Sequence, residues 1–198
     1  GVDAPIWGWM YDHTVHDIPA DGRIPLPALP EPRIEPEIAF GFRTAPAPGM
    51  SVDEIAGCLD WIAHGIEIVM SLYPGWKLTA ADAVAAMGMH GGYWLGERHP
   101  ARDVLSGGAD VLERFTLTMD GPAETHAGRA SDVLGGPLHA IRFLLDQIAR
   151  MPGAGPVEPG EIVTTGTLTD ARPIAPGQRW KTRFDGLDLP GLDVTFTG

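Results

Sequence analysis

With 198 residues, 44% hydrophobic and 20% charged, the chain is long enough to bury one substantial core and has the composition of a globular protein. Acidic side chains outnumber basic ones 26 to 14, a formal net charge of −12, and a surface that acidic repels phosphate backbones and anionic lipid, which argues against nucleic-acid and membrane partners. The single cysteine, Cys58, excludes an intramolecular disulfide and a CxxC zinc site and points to a reducing, cytoplasmic setting.

Residues 1–32 carry Pro5, Pro19, Pro25, Pro27, Pro30 and Pro32 and read as an irregular segment that wraps the surface or adds edge structure, since proline cannot donate to a sheet ladder. Residues 33–43 alternate, with Ile34 and Ile38 on one face and Glu35 and Glu37 on the other, which is a strand pattern. Ser51-Val-Asp-Glu54 is a capping box. Behind it Ile55, Ala56, Leu59, Ile62 and Ala63 recur at helical spacing, so a helix is expected up to the stop at Gly65, then a strand over 66–70. Thr79 caps a short helix over 80–88, and residues 91–96 read as a glycine turn entering a short extended stretch. Residues 111–118 alternate like a strand, and Asp120-Gly121 turns the chain back into 123–128. Pro137 opens a helix with Ile141, Leu144, Leu145 and Ile148 on its apolar face. A strand over 162–165 and a closing hairpin over 179–198 complete the series. The expected fold is α+β: a β-rich mixed sheet or roll with a few packed helices, in one catalytic domain spanning 1–198.

Glu35 and Glu37, at i and i+2, project from one strand face about 6.5–7 Å apart. Such a pair is either a solvated edge feature or a site that a hard divalent cation compensates. Glu67 is the only charge in the apolar run 65–69, and buried glutamates are rare unless paired or metal-bound. From spacing alone two readings stand. Glu35, Glu37 and Glu67 form half an octahedral oxygen shell for Mg²⁺ or Mn²⁺, or Glu67 pairs with Arg33 or Arg43. His90, in Met89-His90-Gly91-Gly92, titrates near neutral pH and is a candidate proton-transfer group; the plain alternative is a structural loop histidine. Beside three glutamates its protonated form is expected to be favoured. His13 and His16 lie in a stretch that favours extended structure, which points their rings to opposite faces and makes a metal role unexpected. The glycines at 135, 136 and 166 offer backbone N–H groups to an anion, although ordinary turns account for each alone. There is no P-loop, GxSxG or dinucleotide fingerprint.

Five stretches, Pro32-Arg-Ile-Glu-Pro-Glu-Ile-Ala-Phe40, Gly65-Ile-Glu-Ile-Val69, His90-Gly-Gly-Tyr-Trp-Leu-Gly96, Leu134-Gly-Gly-Pro137 and Pro159-Gly-Glu-Ile-Val-Thr-Thr-Gly-Thr-Leu168, occur in the order of one family. Together they resemble the 2-keto-4-pentenoate hydratase and 4-oxalocrotonate decarboxylase group of the fumarylacetoacetate-hydrolase-like superfamily, over essentially the whole chain. The resemblance implies a fold of the fumarylacetoacetate-hydrolase C-terminal-domain type, with Glu35, Glu37 and Glu67 as Mg²⁺ or Mn²⁺ ligands. It further implies Gly166 and Thr167 at the substrate, His90 where the family places a polar active-site side chain, a homo-oligomer, and a partner enzyme of the same pathway. The implied substrate is a 2-oxo or 2-hydroxy acid that chelates the ion through its carboxylate and C2 oxygen, while an acid–base group moves protons along the conjugated chain. Hydration of a dienoate is the leading reading, decarboxylation of an oxalocrotonate-type diacid the next, and carbon–carbon hydrolysis of an acylpyruvate the third. The sequence also departs from the pattern. Nothing matches the family's N-terminal Gly-x-Lys-x-Gly-like segment with its catalytic lysine, and Met70-Ser71-Leu72 stands where many members have Asp-Ser-Arg. A non-catalytic metal-binding subunit whose partner chain supplies the lysine is therefore a reading from a different class.

Overall fold

The alternating run after the prolines becomes the central strand of the larger of two sheets. The structure, a computed structural model, describes residues 5–198, so the first four residues of the proline-rich segment lie outside it. That segment contributes β1 (Val15–Asp17) and β2 (Arg23–Pro25), one to each sheet. There follow β3 (Arg33–Phe42), α1 (Val52–Cys58), β4 (Leu59–Val69), α2 (Ala80–Ala85), β5 (His90–Leu95) and β6 (His99–Pro100). Two short helices, α3 (Ala101–Val104) and α4 (Val111–Arg114), lead to β7 (Thr116–Asp120) and β8 (Thr125–Arg129). The chain ends with α5 (Pro137–Ile148), β9 (Ile162–Thr164), β10 (Arg172–Pro173), β11 (Arg179–Asp185) and β12 (Asp193–Thr197). One sheet has the order β1-β5-β4-β3-β10, with β6 on β4 and β9 on β3; the other has the order β2-β12-β11-β7-β8. β1 joins β5 and β2 joins β12 in parallel, and the remaining pairings are antiparallel, so the expected mixed, β-rich architecture is what forms. Among the described residues no helix is long and apolar enough to cross a membrane.

Residue parity decides what each face of the larger sheet does. Ile34, Ile38 and Phe40 of β3, Ile62, Ile66 and Ile68 of β4 and Trp94 of β5 point into the main core, where they meet Leu117, Met119, Trp180, Val194 and Phe196 of the second sheet and Ile141 and Leu145 of α5. Each such side chain contributes about 1.5–3 kcal/mol when fully buried. The odd-numbered residues face the other way. Ala39, Gly41, Ala63 and Gly65 keep that face shallow, and Tyr93 and Leu95 pack there in a smaller cluster.

One polar contact ties the two sheets together through the core. His64 of β4 is 2% exposed; its Nδ1 lies 2.9 Å from the Glu37 carbonyl oxygen and its Nε2 lies 2.9 Å from Thr182 Oγ1 on β11. A carbonyl only accepts, so Nδ1 carries the proton and donates, and Nε2 accepts from the Thr182 hydroxyl. Thr182 Oγ1 in turn accepts the Leu192 N–H at 2.8 Å, which satisfies every member of the chain.

Three expectations need correction. Ser51 and Glu54 do form the capping box, but α1 ends at Cys58 and the residues from Leu59 onward are strand. Because both faces of β4 are buried, nearly every position is apolar and the two-residue period is hidden. Residues 91–96 contain no glycine turn: Gly91 and Gly92 lie inside β5, where a Cβ would meet Leu29 and the Ile68 carbonyl oxygen at 2.7 and 2.8 Å, or the Trp94 ring at 2.7 Å. Residues 111–114 form a helical turn, since Leu112 and Phe115, three apart, are both buried, and strand begins only at Thr116.

Candidate metal centre

Pairing between β3 and β4 brings three acids together. Glu35 lies directly opposite Glu67, and Glu37 lies opposite Gly65, so all three carboxylates stand on the shallow face of the sheet. One oxygen from each lies within 4.8 Å of the others, and no second cluster of this kind occurs among the described residues. His13 and His16 belong to none. The arginine alternative fails on geometry. Arg33 places its guanidinium over the Trp76 ring at 4.1 Å, and Arg43 donates to the Gly57 carbonyl at 3.2 Å. Glu67 is instead paired with His90, Nδ1 to Oε1 at 2.7 Å.

Burial first and neighbouring carboxylates second push both Glu35 and Glu67 up to about 8, Arg33 offsetting part of the rise at Glu35. Glu37, 1% exposed, is driven well above the usual carboxylate range by burial and by Glu67, with which it shares a hydrogen bond. The Gly166 N–H, 3.2 Å from Glu37 Oε2, works in the opposite direction. Gly166 has φ 91°, in the left-handed region open to glycine, and the chain after β9 turns there with this N–H on Glu37. The donor set is all oxygen, three carboxylates on one face, and a divalent cation such as Mg²⁺ or Mn²⁺ is the group that lets all three ionise together.

His90 is delivered by a strained turn. Met87, Gly88 and Met89 take φ values of 53°, 70° and 72°, a conformation that costs a non-glycine residue about 1–3 kcal/mol. Its Nε2 lies 2.9 Å from Thr14 Oγ1, whose hydroxyl also lies 2.9 Å from the Tyr11 carbonyl. Both ring nitrogens are therefore occupied, by Glu67 and by Thr14. Burial pushes the His90 pKa below its ordinary value, the reverse of the direction expected from its glutamate neighbours.

The remaining candidates divide. Gly166 reaches the site. Thr167 does not line the main cavity, and its hydroxyl donates to the Thr169 carbonyl at 2.7 Å. The N–H groups of Gly135 and Gly136 are taken by the Ser131 and Val133 carbonyls, so neither is free for an anion. Glu37, Glu67, His90 and Gly166 line one side of a cavity of about 670 Å³. Its other walls are largely apolar, including Trp7, Trp9, Met10, Leu144 and Ile148, and Arg98, paired with Asp17 at 2.8 Å, also borders it. Sequence reasoning missed Thr14, which meets His90 across 76 residues of chain, and Tyr93, which is described below. Neither has a local pattern that marks it.

No protein-family model matches the chain. It is 30% identical to the 2-keto-4-pentenoate hydratase 1 of Dechloromonas aromatica (strain RCB) over 191 residues, 94% of this chain and 68% of that protein. The chain belongs to the 2-keto-4-pentenoate hydratase/4-oxalocrotonate decarboxylase family. The fold agrees with that membership. The 4-oxalocrotonate decarboxylase of Pseudomonas putida G7, solved with magnesium and adipate, superposes with a TM-score of 0.83 at 24% identity, over 98% of this chain and 71% of that one. A yeast fumarylacetoacetate hydrolase family protein superposes with a TM-score of 0.67 at 14% identity, over 93% of this chain and 82% of that one. Curated members of the family are named as hydratases or decarboxylases, both of which are lyases.

Proposed function

We propose that this chain is a divalent-metal-dependent hydro-lyase acting on 2-hydroxy-dienoates or 2-oxo-alkenoates in aromatic-compound catabolism. The observation that carries this reading is the convergence of Glu35, Glu37 and Glu67 beside a largely apolar cavity, with no arginine or lysine in salt-bridge contact with them among the described residues. In this reading the three glutamates hold Mg²⁺ or Mn²⁺. The ion supplies Lewis acidity at the C2 oxygen of a chelating 2-oxo acid. Glu37 is fixed by the Gly166 N–H, and the same glycine borders the place of the substrate carboxylate. His90 is the acid–base group: Thr14 Oγ1, whose own proton goes to the Tyr11 carbonyl, accepts the Nε2 proton, and His90 exchanges that proton with the conjugated chain once the contact opens. The apolar walls exclude bulk water and suit a hydrocarbon tail.

One observation keeps a second reading. Arg98 borders the cavity and can meet the distal carboxylate of an oxalocrotonate-type diacid, the substrate of a carboxy-lyase. Ultraviolet turnover of 2-hydroxypenta-2,4-dienoate with and without Mg²⁺, beside CO₂ release from the diacid, separates the two. Hydration of the dienoate only with Mg²⁺ is the expected result. CO₂ release alone moves the assignment to the decarboxylase, and Mg²⁺ binding with neither reaction marks a non-catalytic partner subunit.

A cytoplasmic homo-oligomer is part of the proposal. Cys58 is buried and free, and Trp9 and Tyr11 are about half exposed (50% and 49%), an apolar surface that association would cover. Light scattering is expected to give a multiple of 21.1 kDa, and a monodisperse monomer contradicts it.

A further inference from the structure

Tyr93 has the one tyrosine hydroxyl in the described core that is buried without a hydrogen-bond partner. The side chain is 0% exposed, and β5 places it directly opposite Glu67, on the face that carries the three acids. The adjacent β4 position on that face is Gly65, which pairs with Glu37 of β3. A Cβ on Gly65 would lie 2.1 Å from the Tyr93 hydroxyl and 2.5 Å from its Cζ. Only glycine therefore lets the phenol of β5 cross β4 toward the carboxylate on β3.

We propose that Tyr93 is a positioning residue of the metal centre, its hydroxyl donating to the carboxylate shell, at Glu37, when Glu35, Glu37 and Glu67 hold a divalent cation. The inference rests on the metal reading of the preceding section and adds a residue to it. Three ionised carboxylates offer more lone pairs than one cation uses, and their outer oxygens need donors. His90 serves Glu67 and the Gly166 N–H serves Glu37. The Thr164 side chain also hydrogen-bonds Glu37, which leaves the Tyr93 O–H as the buried donor beside them that has no partner, and burial together with the Glu37 and Glu67 charges keeps it protonated at any working pH. An unpaired buried hydroxyl costs stability in the metal-free fold, and a role in the loaded site accounts for its retention.

Calorimetric titration of Mg²⁺ and Mn²⁺ into the parent chain and into Tyr93→Phe tests this without reference to turnover. Losing an outer-shell partner typically costs 10–100-fold in metal affinity, and a loss of that size is expected. The metal-free variant should melt no lower than the parent, because the change removes only an unpartnered hydroxyl. On the parent alone, adding metal should perturb the tyrosine absorption band, and the perturbation should vanish in Tyr93→Phe. Equal affinity in the two chains, or no tyrosine perturbation in the parent, overturns the inference while leaving the metal site standing. A parent that binds neither ion overturns the metal reading, and this inference with it.

Discussion

Glu67 carries two relationships at once: it completes the acidic cluster and it shares a hydrogen bond with His90 Nδ1. Glu67→Gln separates them, keeping the shape while removing one of three charges. Mg²⁺ at a hundred times its Kd is expected to stabilise the parent by about 2.7 kcal/mol, and that increment should disappear in the variant while the metal-free Tm holds. A variant that fails to fold would make Glu67 the structural partner of a strained histidine. His90 itself is tested by kinetics. Removing a positioned acid–base group costs about 10²–10⁴ in rate, so His90→Ala should lower kcat by that order with KM little changed. His90→Gln retains hydrogen-bonding capacity but no transferable proton, and should fall with it. Near-parent turnover in either variant would reassign His90 to holding Glu67 and Thr14 in place.

At the level of elements, the site was legible wherever one face of a strand differs from the other. β3 shows Ile34, Glu35, Glu37 and Ile38 in strict alternation, and the two glutamates stand where that pattern places them. β4 hid its period because both faces are buried, and its first half therefore read as a continuation of α1. Glu67 was nonetheless conspicuous as a lone charge in an apolar run. Thr14, Tyr93 and His64 were not legible at all. Each acts through a contact between segments far apart in the chain, and single-sequence spacing carries no such information. His64 shows what such a contact does for the elements. Burial holds its imidazole neutral down to about 4, against about 6.5 in an unfolded chain. Between those values the unfolded state takes up a proton that the fold refuses, so this link loses stability as pH falls from about 6.5 to about 4, on the order of 3 kcal/mol in full. In urea, His64→Gln, which cannot titrate, should flatten that acid limb relative to the parent. An unchanged limb would place the acid sensitivity elsewhere.

For the whole molecule, the net charge of −12 and the triad act on a cation in the same direction, the first by attraction at long range and the second by contact. The second depends directly on pH near neutrality. Glu35 and Glu67, held at about 8 by burial and by each other's neighbours, are mostly protonated at pH 7 in the metal-free protein, whereas a bound divalent ion requires them as carboxylates. Binding must therefore expel protons below pH 8, and the share that Glu35 and Glu67 release falls away well above it. The sign follows directly: Mg²⁺ affinity rises with pH through about 6–8, by up to roughly two decades per unit if both groups release a proton, and levels off above. Calorimetric titrations at pH 7 in two buffers of different ionisation enthalpy should give heats that differ by more than one proton's worth, and the difference should shrink at pH 9. A 0.1 M salt series at fixed pH should move the affinity far less, because exposed charges are screened over about 10 Å while the buried triad is not. Buffer-independent heats at pH 7 would show that the ion, if it binds, does not displace protons from Glu35 and Glu67.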